Sequence, residues 1–174
     1  MPSKREAAWG VLSEIPNQIR ATRANPNAQG SIFFSSKSLS TVAKSVADSL
    51  RTNLYQYPAL PPQMPWLDKV MPNEPQNLTA ELQADGVHLK WAEPLKASDG
   101  ETASGYVVYR FEEDETPNEL NPKHIICIRF ENFKSYVDKA IEKGKSYKYI
   151  ITALDRLKNE SEASVSVNVL SKRD

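Results

Sequence analysis

Hydrophobic and polar residues alternate along the stretch from Gly144 to Asp155, and this pattern predicts a β-strand. One face of the strand carries Tyr147, Tyr149, Ile151 and Ala153, and the other carries Lys148 and Thr152. Aromatic and β-branched residues fit the pleated surface of a sheet. We therefore expect this strand to lie centrally in a sheet built from the second half of the chain.

Seven short segments with the pattern of strands follow one another after residue 72. They are Gln76–Leu82, Val87–Trp91, Tyr106–Phe111, His124–Arg129, Lys134–Asp138, Ser146–Leu154 and Ala163–Val169. Turn residues such as the Asp85-Gly86 pair separate them. This spacing is typical of a β-sandwich. In the second segment apolar residues alternate with polar ones, which predicts that the indole of Trp91 lies in the core.

Four motifs in this half occur in a characteristic order: Pro75-x-Asn-Leu-x-Ala, Val87-x-Leu-x-Trp91, Gly105-Tyr-Val-Val-Tyr-Arg and Tyr147-x-Tyr-x-Ile-x-Ala-x-Asp155. Together they resemble a fibronectin type III domain, and they cover residues 72–174. The resemblance implies a mainly β, seven-strand, immunoglobulin-like sandwich. It also implies that Trp91 is the core tryptophan and that the Tyr147 hydroxyl bonds to nearby backbone. No Arg-Gly-Asp sequence is present, so integrin binding has no support.

Some apolar residues in the predicted sheet point away from the core. In the third and sixth segments these residues are Val107, Tyr109, Phe111, Ile150 and Leu154. The two strands are neighbours in this fold, so the five side chains would form one apolar patch on the outside of the sheet. We expect the proline-rich segment or the second helix of the N-terminal region to cover it, because exposed patches of this size are unusual.

The pattern before residue 57 predicts a helix, a strand and a second helix. The first helix would be capped by Ser13 and would end near Asn25, and the second would span Thr41–Asn53. Between them the short apolar run Ile32–Ser35 predicts a buried strand. A single strand needs partners on both edges, and residues 1–57 offer none. We therefore interpret this region as the last piece of a larger α/β fold.

Three runs support that interpretation: Glu14–Arg20, Ala28–Leu39 and Tyr55–Asp68. They resemble the C-terminal end of bacterial glycoside hydrolase 10-like barrel proteins, which are secreted or lipid-anchored and often continue into a fibronectin type III domain. The resemblance implies that Ile32–Ser35 is the eighth barrel strand and that Thr41–Asn53 is the closing helix. It also implies an upstream barrel domain as partner, a carbohydrate-related activity in the parent protein, and an extracellular, periplasmic or cell-surface location.

Six of the twelve prolines fall between Pro58 and Pro75, which predicts an extended, stiff bridge over residues 58–71. Tyr55, Tyr57 and Trp66 lie in or beside this bridge. Two interpretations compete for these aromatic residues. They can stack on the rings of a polysaccharide, or they can pack between modules, and the second interpretation is favoured because solvated linkers seldom carry so many apolar groups.

Candidate catalytic and metal-binding residues each have an ordinary structural explanation. Glu14 lies at a helix start, where a carboxylate favours the helix dipole. Ser35 and Ser36 are expected to form a strand-end turn, and the acidic run Glu112–Glu115 a solvated loop tip. The histidines, His88 and His124, are expected to be solvated strand residues. We predict no catalytic, cofactor-binding or metal site.

Cys127 cannot form an internal disulfide because it is the only cysteine, and its isoleucine neighbours favour a small buried side chain. The chain has 22 basic and 22 acidic residues; residues 1–66 hold seven and three of these, which leaves 15 and 19. Neither part is basic enough to indicate nucleic-acid binding. No apolar run is long enough to span a membrane, and the first residues do not resemble a signal peptide.

These observations predict a non-catalytic C-terminal accessory region of a secreted glycoside hydrolase-like protein, which spaces or stabilises the barrel. The alternative is a module that binds carbohydrate, or that binds a protein by strand addition at a sheet edge. A self-contained enzyme would need a group of catalytic residues that the sequence does not contain.

Overall fold

The computed structural model describes residues 11, 13–28, 30–40 and 44–170, and the chain divides into two compact units, Met1–Gln56 and Tyr57–Asp174. In the described part of the first unit there are three helices: α1 Glu14–Ala24, α2 Ser36–Ser40 and α3 Lys44–Thr52. In the second unit the described residues form seven strands and one short 3-10 turn at Pro122–His124. No helix in these ranges is both long and apolar enough to cross a membrane.

The second unit is a β-sandwich of two antiparallel sheets. Its strands are β1 Gln76–Gln83, β2 Gly86–Ala92, β3 Gly105–Glu112, β4 Ile125–Arg129, β5 Ser135–Asp138, β6 Ser146–Leu154 and β7 Val167–Leu170. One sheet has the order β1-β2-β5 and the other has the order β4-β3-β6-β7. The predicted strand β6 is thus confirmed as an internal strand, paired with β3 and β7. The predicted fold class, a mainly β seven-strand sandwich, is confirmed.

The core between the sheets is built by the inward face of each strand. Tyr147, Tyr149, Ile151 and Ala153 all belong to it, as the alternation along β6 requires. Trp91 lies among them and makes edge-to-face ring contacts with Tyr106 and Phe133, at centroid distances of 5.4 and 5.2 Å. Tyr147 is also buried, and its hydroxyl accepts a 3.0 Å hydrogen bond from the backbone N–H of Glu142. This contact ties the loop before β6 to the strand.

A second apolar cluster lies on the outer face of the β4-β3-β6-β7 sheet. It contains Val107, Tyr109, Phe111, Ile125, Ile150 and Leu154, all of them buried. Leu60, Ile128 and Ala163 pack against it, so a residue of the proline-rich bridge helps to cover the predicted patch. Glu160 links β3 and β6 beside this cluster, because its Oε1 accepts 2.6 Å hydrogen bonds from the Tyr109 and Thr152 hydroxyls. The patch is therefore a second, smaller core.

The last strand begins later than the sequence predicts, at Val167 rather than Ala163. Two serine side chains pair with the β6 backbone in the region before it. The hydroxyls of Ser161 and Ser164 accept hydrogen bonds from the N–H groups of Ala153 (2.9 Å) and Ile151 (3.1 Å). The backbone N–H groups of the same serines donate 2.9 Å hydrogen bonds to the carbonyls of Ala153 and Ile151, so side-chain and backbone bonds together satisfy this edge of β6 before β7 begins.

The predicted strand Ile32–Ser35 is wrong for the chain alone. The structure shows irregular backbone at these residues, with Ile32 and Phe34 fully exposed. A strand requires a neighbouring strand for its hydrogen bonds, and the described residues of the first unit contain none. Helix α1 begins directly after Ser13 as predicted, although the Ser13 side chain makes no capping bond. The predicted second helix is present as α3, and its first residues, 41–43, lie outside the described ranges.

Candidate functional site

The first unit exposes two large apolar side chains, Ile32 and Phe34, completely to solvent. Among the described residues of this unit, Ile19, Val46 and Leu50 are buried in its hydrophobic cluster. Phe33 lines an apolar groove of about 240 Å³ together with Leu50 and other side chains of α3 and the residues after it. A cluster of this size buries little area, so it offsets only a small part of the entropy of ordering the unit.

The proline-rich bridge supplies a second exposed surface, at one end of the sandwich. Trp66 is 74% exposed, and Leu67 beside it is also exposed. Both lie in a turn closed by a 2.9 Å hydrogen bond from the Leu67 N–H to the Met64 carbonyl. Tyr55 and Tyr57 are each 46% exposed, and the guanidinium of Arg23 lies 5.2 Å from the centre of the Tyr55 ring. The aromatic residues are thus partly or largely accessible within their own units.

Three carboxylates meet beside this turn, although they are far apart in the sequence. Asp68, Asp99 and Glu101 place one oxygen each within 4.8 Å of the others. Each is already engaged: Asp68 accepts from the N–H of Val70, Asp99 accepts from the N–H of Glu101, and Glu101 accepts from the guanidinium of Arg156. Sequence reasoning missed this cluster because its members come from the bridge and a loop more than 30 residues away. These engaged, partly exposed groups do not by themselves assign a metal site.

His124 differs from the prediction of a solvated strand residue. His124 is buried in the 3-10 turn, where its ring lies 4.3 Å from that of Phe111. Its Nδ1 lies 3.2 Å from the carbonyl oxygen of Arg110 and 3.7 Å from Oε2 of Glu115. The prediction failed because the 3-10 turn places the His124 ring against the end of β3 and the loop that follows it. His88 is on β2, as expected, with Nε2 2.6 Å from Oδ1 of Asp85.

His124 also lines a shallow cleft of about 190 Å³ at the other end of the sandwich. Charges of both signs face this cleft and pair with one another, as in the 2.6 Å contact between Lys123 Nζ and Glu115 Oε1. The bond from Lys123 is the main cause of a lowered pKa of the Glu115 carboxyl, and the Glu112 backbone adds to it. These contacts hold the Glu115 side chain against Lys123 and the backbone of Glu112.

The remaining candidate residues have structural surroundings. Glu14 accepts a 2.8 Å hydrogen bond from the Gln18 amide one turn later in α1. Ser36 is the first residue of α2. Cys127 is half-buried, and burial raises the pKa of its thiol, which disfavours the reactive thiolate. Among the described residues, these candidates do not combine into a nucleophile, base and acid within reach of one another.

Comparison with known proteins gives the chain a family context. Residues 75–171 match the family model of the fibronectin type III domain described as the SaeA third domain. The chain is 34% identical over 158 residues to a protein named glycosyl hydrolase YngK from Bacillus subtilis (strain 168). That match covers 90% of this chain and 30% of the relative, so the chain spans about a third of the relative's length.

Solved structures similar to the chain include a fibronectin type III-like protein from Clostridium thermocellum. It shares 22% identity with a TM-score of 0.44, and the match covers 57% of this chain and 92% of that one. The spore cortex lytic enzyme SleM from Clostridium perfringens shares 18% identity with a TM-score of 0.42, covering 57% of this chain and 28% of that one.

Proposed function

The chain belongs to the fibronectin type III family through residues 75–171, and from that premise we propose that it is a non-catalytic accessory region of a longer, glycosidase-related protein. In this role the sandwich and the bridge space or stabilise an upstream catalytic domain. The 34% identity to a protein named as a glycosyl hydrolase supports the association, and the partial coverage of that relative supports the longer length. The upstream domain is the proposed partner.

The observation that carries the proposal is the complete exposure of Ile32 and Phe34, in a unit whose described residues place three side chains in its buried hydrophobic cluster. Leaving these side chains in water forgoes about 1.5–3 kcal/mol for each one that could be buried. A preceding domain that pairs with residues 32–35 would bury them and supply the missing strand hydrogen bonds. The first unit would then complete that domain, and the second unit would follow it.

The test compares the 174-residue chain with the longest reading frame that contains it. Limited proteolysis followed by mass spectrometry measures cleavage between residues 28 and 40. We expect rapid cleavage there in the 174-residue chain and strong protection in the longer protein, with hydrolysis of a polysaccharide only by the longer protein. If the 174-residue chain resists cleavage between residues 28 and 40 as strongly as the longer protein does, its first unit is a complete fold and the proposal is wrong.

A binding module is the second candidate function, and the exposure of Trp66 favours it. An accessible indole can stack on the apolar face of a sugar ring, and Tyr57 offers a further aromatic surface. Titration of the chain with soluble polysaccharides, followed by tryptophan fluorescence, tests this function. A saturable change that is lost in Trp66→Ala and kept in Trp91→Phe supports a polysaccharide site, whereas a flat response across glycans supports the spacer.

The proposed location of the longer protein is extracellular, periplasmic or at the cell surface, as a secreted protein or a lipoprotein. The resemblance of the first unit to secreted barrel proteins supports it. Fractionation of cells that express the longer reading frame checks this location. Recovery of the protein only in the cytoplasm would contradict it.

A further inference from the structure

The paired strands define two ends of the sandwich. At one end, Trp91 near the end of β2 contacts Tyr106 at the start of β3, with 5.4 Å between the ring centroids, and the loop 93–104 joins these strands. We call it the far end. At the opposite end, Ser146 at the start of β6 pairs with Leu170 at the end of β7. We call this one the exit end, because the chain leaves the sandwich there.

Tyr57, the first residue of the second unit, lies near the exit end. Glu112 at the end of β3 pairs with Tyr147, so the loop after β3 also begins at the exit end. Lys123 belongs to this end, because its Nζ lies 2.6 Å from Oε1 of Glu115 in that loop. The pKa of Lys123 is raised, chiefly by its bond to Glu115, and Tyr57 is close enough to add to the shift.

From Tyr57 the bridge crosses the outer face of the β4-β3-β6-β7 sheet. Leu60 packs on the outer cluster of this face. Asp68 has reached the far end, because its carboxylate lies within 4.8 Å of those of Asp99 and Glu101 in the loop 93–104. An extended chain of the polyproline type from residue 57 to residue 68 reaches about 34 Å. The nine residues of β6 span about 30 Å, so the bridge is long enough to make this crossing.

The crossing reverses the direction from which the chain approaches the sandwich. Strand β1 begins at the far end, where Gln76 pairs with Ala92. A chain that ran straight into β1 would therefore enter at the far end and leave at the exit end. Because the bridge crosses the outer face first, the residues directly before Tyr57 approach at the exit end. Entry and exit of the chain thus lie at the same end of the sandwich.

The surface of the exit end combines apolar side chains with paired charges. Leu120, in the loop after β3, is 93% exposed, and the Tyr57 ring is half-exposed. The cleft of about 190 Å³ described above adds Arg110 and Glu142 to its lining. Exposed apolar groups within a polar rim are the usual composition of a contact surface between domains. Most of the length of the Bacillus subtilis relative lies outside its match to this chain, which leaves room for a neighbouring domain.

We propose that the exit end is the surface on which the sandwich contacts the domain that precedes it in the longer protein, with Leu120 and Tyr57 in the contact. The inference rests on the proposed function, and it adds where the preceding domain lies. In this arrangement the bridge acts as a strap that holds the sandwich beside that domain. The far end then points away from the domain, and the chain after Leu170 starts next to it.

Hydroxyl-radical footprinting with mass spectrometry compares two exposed leucines in the 174-residue chain and in the longest reading frame. Leu120 (93% exposed) lies at the exit end, and Leu95 (77% exposed) lies in the loop 93–104 at the far end, as the matched control. We expect Leu120 to be labelled severalfold more slowly in the longer protein, and Leu95 to be labelled at the same rate in both. An equal rate for Leu120 in both proteins, or slower labelling of Leu95 in the longer one, overturns the proposal.

Phe34 separates this proposal from the proposed function in the same experiment. If Phe34 is protected in the longer protein and Leu120 is not, the contact surface is wrong and the accessory role stands. If Leu120 alone is protected, the contact is supported and the completion of the first unit by the preceding domain is wrong. If neither residue is protected, both proposals are wrong. Protection of Leu120 that rises with protein concentration would indicate a second copy of the chain at the exit end and would overturn the contact.

The path of the bridge is tested in the 174-residue chain by double electron–electron resonance between spin labels on introduced cysteines. Cys127→Ser removes the native thiol, and Tyr57→Cys with Leu170→Cys reports the distance between entry and exit. Met71→Cys with Leu170→Cys is the matched control, and its distance should correspond to the length of the sheet, roughly 30 Å. We expect the first distance to be clearly shorter. Circular dichroism shows whether each variant is folded, and a first distance as long as the control distance in folded variants overturns the proposal.

Discussion

The hydroxyl of Tyr149 donates a 2.9 Å hydrogen bond to Oδ2 of Asp138, and this bond joins the two sheets of the sandwich inside its core. Asp138 is at the end of β5 and is almost completely buried. The same oxygen accepts a 2.9 Å bond from the guanidinium of Arg110 on β3. Burial is the largest cause of a raised pKa of Tyr149, and Asp138 adds to it. The buried carboxylate is therefore satisfied from the opposite sheet.

Tyr149→Phe removes one donor from this carboxylate and leaves the ring in place. We expect the free energy of unfolding to fall by about 1–3 kcal/mol, because a buried charged acceptor loses a hydrogen bond. Urea denaturation monitored by circular dichroism measures the change. Tyr57→Phe, at a half-exposed ring just before the bridge, is the control and should change stability by less than about 0.5 kcal/mol. Equal effects of the two substitutions would contradict this role.

Leu60→Ala uncovers part of the outer cluster on β3 and β6. Since Leu60 is only half-buried, we expect a loss of about 1–2 kcal/mol, less than the roughly 2–5 kcal/mol typical of a fully buried leucine. Leu120→Ala removes an exposed leucine of the same size and serves as the control in thermal unfolding. A truncated chain without residues 1–70 also lacks Leu60, and it should melt at a lower temperature than the whole chain. An unchanged melting temperature would show that the bridge does not cover the cluster.

Tyr106→Phe removes a buried hydroxyl that has no hydrogen-bond partner among the described residues. We expect the variant to be more stable at neutral pH by about 1 kcal/mol, because an unsatisfied buried polar group costs free energy. The sandwich packing is otherwise retained. Urea denaturation at pH 7 measures this difference, and a large loss of stability would indicate that the hydroxyl has a partner.

Burial, with the Glu93 carboxylate as a smaller cause, raises the pKa of Tyr106 to about 12. The folded state favours the neutral phenol of Tyr106. Its contribution to the free energy of unfolding is therefore fully present below the unfolded pKa of about 10, and it is lost as the pH rises towards 12. Stability should therefore fall more steeply over this range in the parent chain than in Tyr106→Phe. Absorbance at 295 nm follows the ionisation, and the same pH dependence in both chains would contradict the assignment.

Glu115→Gln tests the charged contacts of the loop after β3. The pKa of Glu115 is lowered, chiefly by Lys123, so the carboxylate stabilises the fold above its ordinary pKa and loses this contribution as the pH falls through the lowered value. We expect the variant to be less stable at pH 7 and to show a flatter loss of stability on acidification. Thermal unfolding across the acidic range measures it, with Glu81→Gln on β1 as a control. Parallel pH profiles would contradict the prediction.

The sequence predicted most of the sandwich because its signals are local. Alternation along β6 assigned Tyr149 and Ile151 to the core and Ile150 and Leu154 to the outer face, and both assignments are confirmed. The same local reasoning failed for Ile32–Ser35. An apolar run predicts burial, but a strand also needs a neighbouring backbone, and the described first unit does not provide one.

The residues of the candidate sites are brought together by the folded chain, and their spacing in the sequence does not indicate it. Asp68 comes from the bridge, and Asp99 and Glu101 come from the loop between β2 and β3, so the three carboxylates meet only in the folded chain. His124 is buried because a 3-10 turn directs it under the loop after β3, which its position before a strand did not indicate. Neither arrangement has a periodic signal, so no pattern along the chain predicts it.

The amino-acid order by itself determined the strands, their inward faces and the family, because hydrophobic periodicity and short motifs are properties of neighbouring residues. Only the tertiary structure decided that Leu60 packs on the outer cluster, that Asp138 is satisfied from the opposite sheet, and that Trp66 is exposed on the turn after Met64. These features depend on contacts between distant segments, and such contacts form only when the sheets pack together.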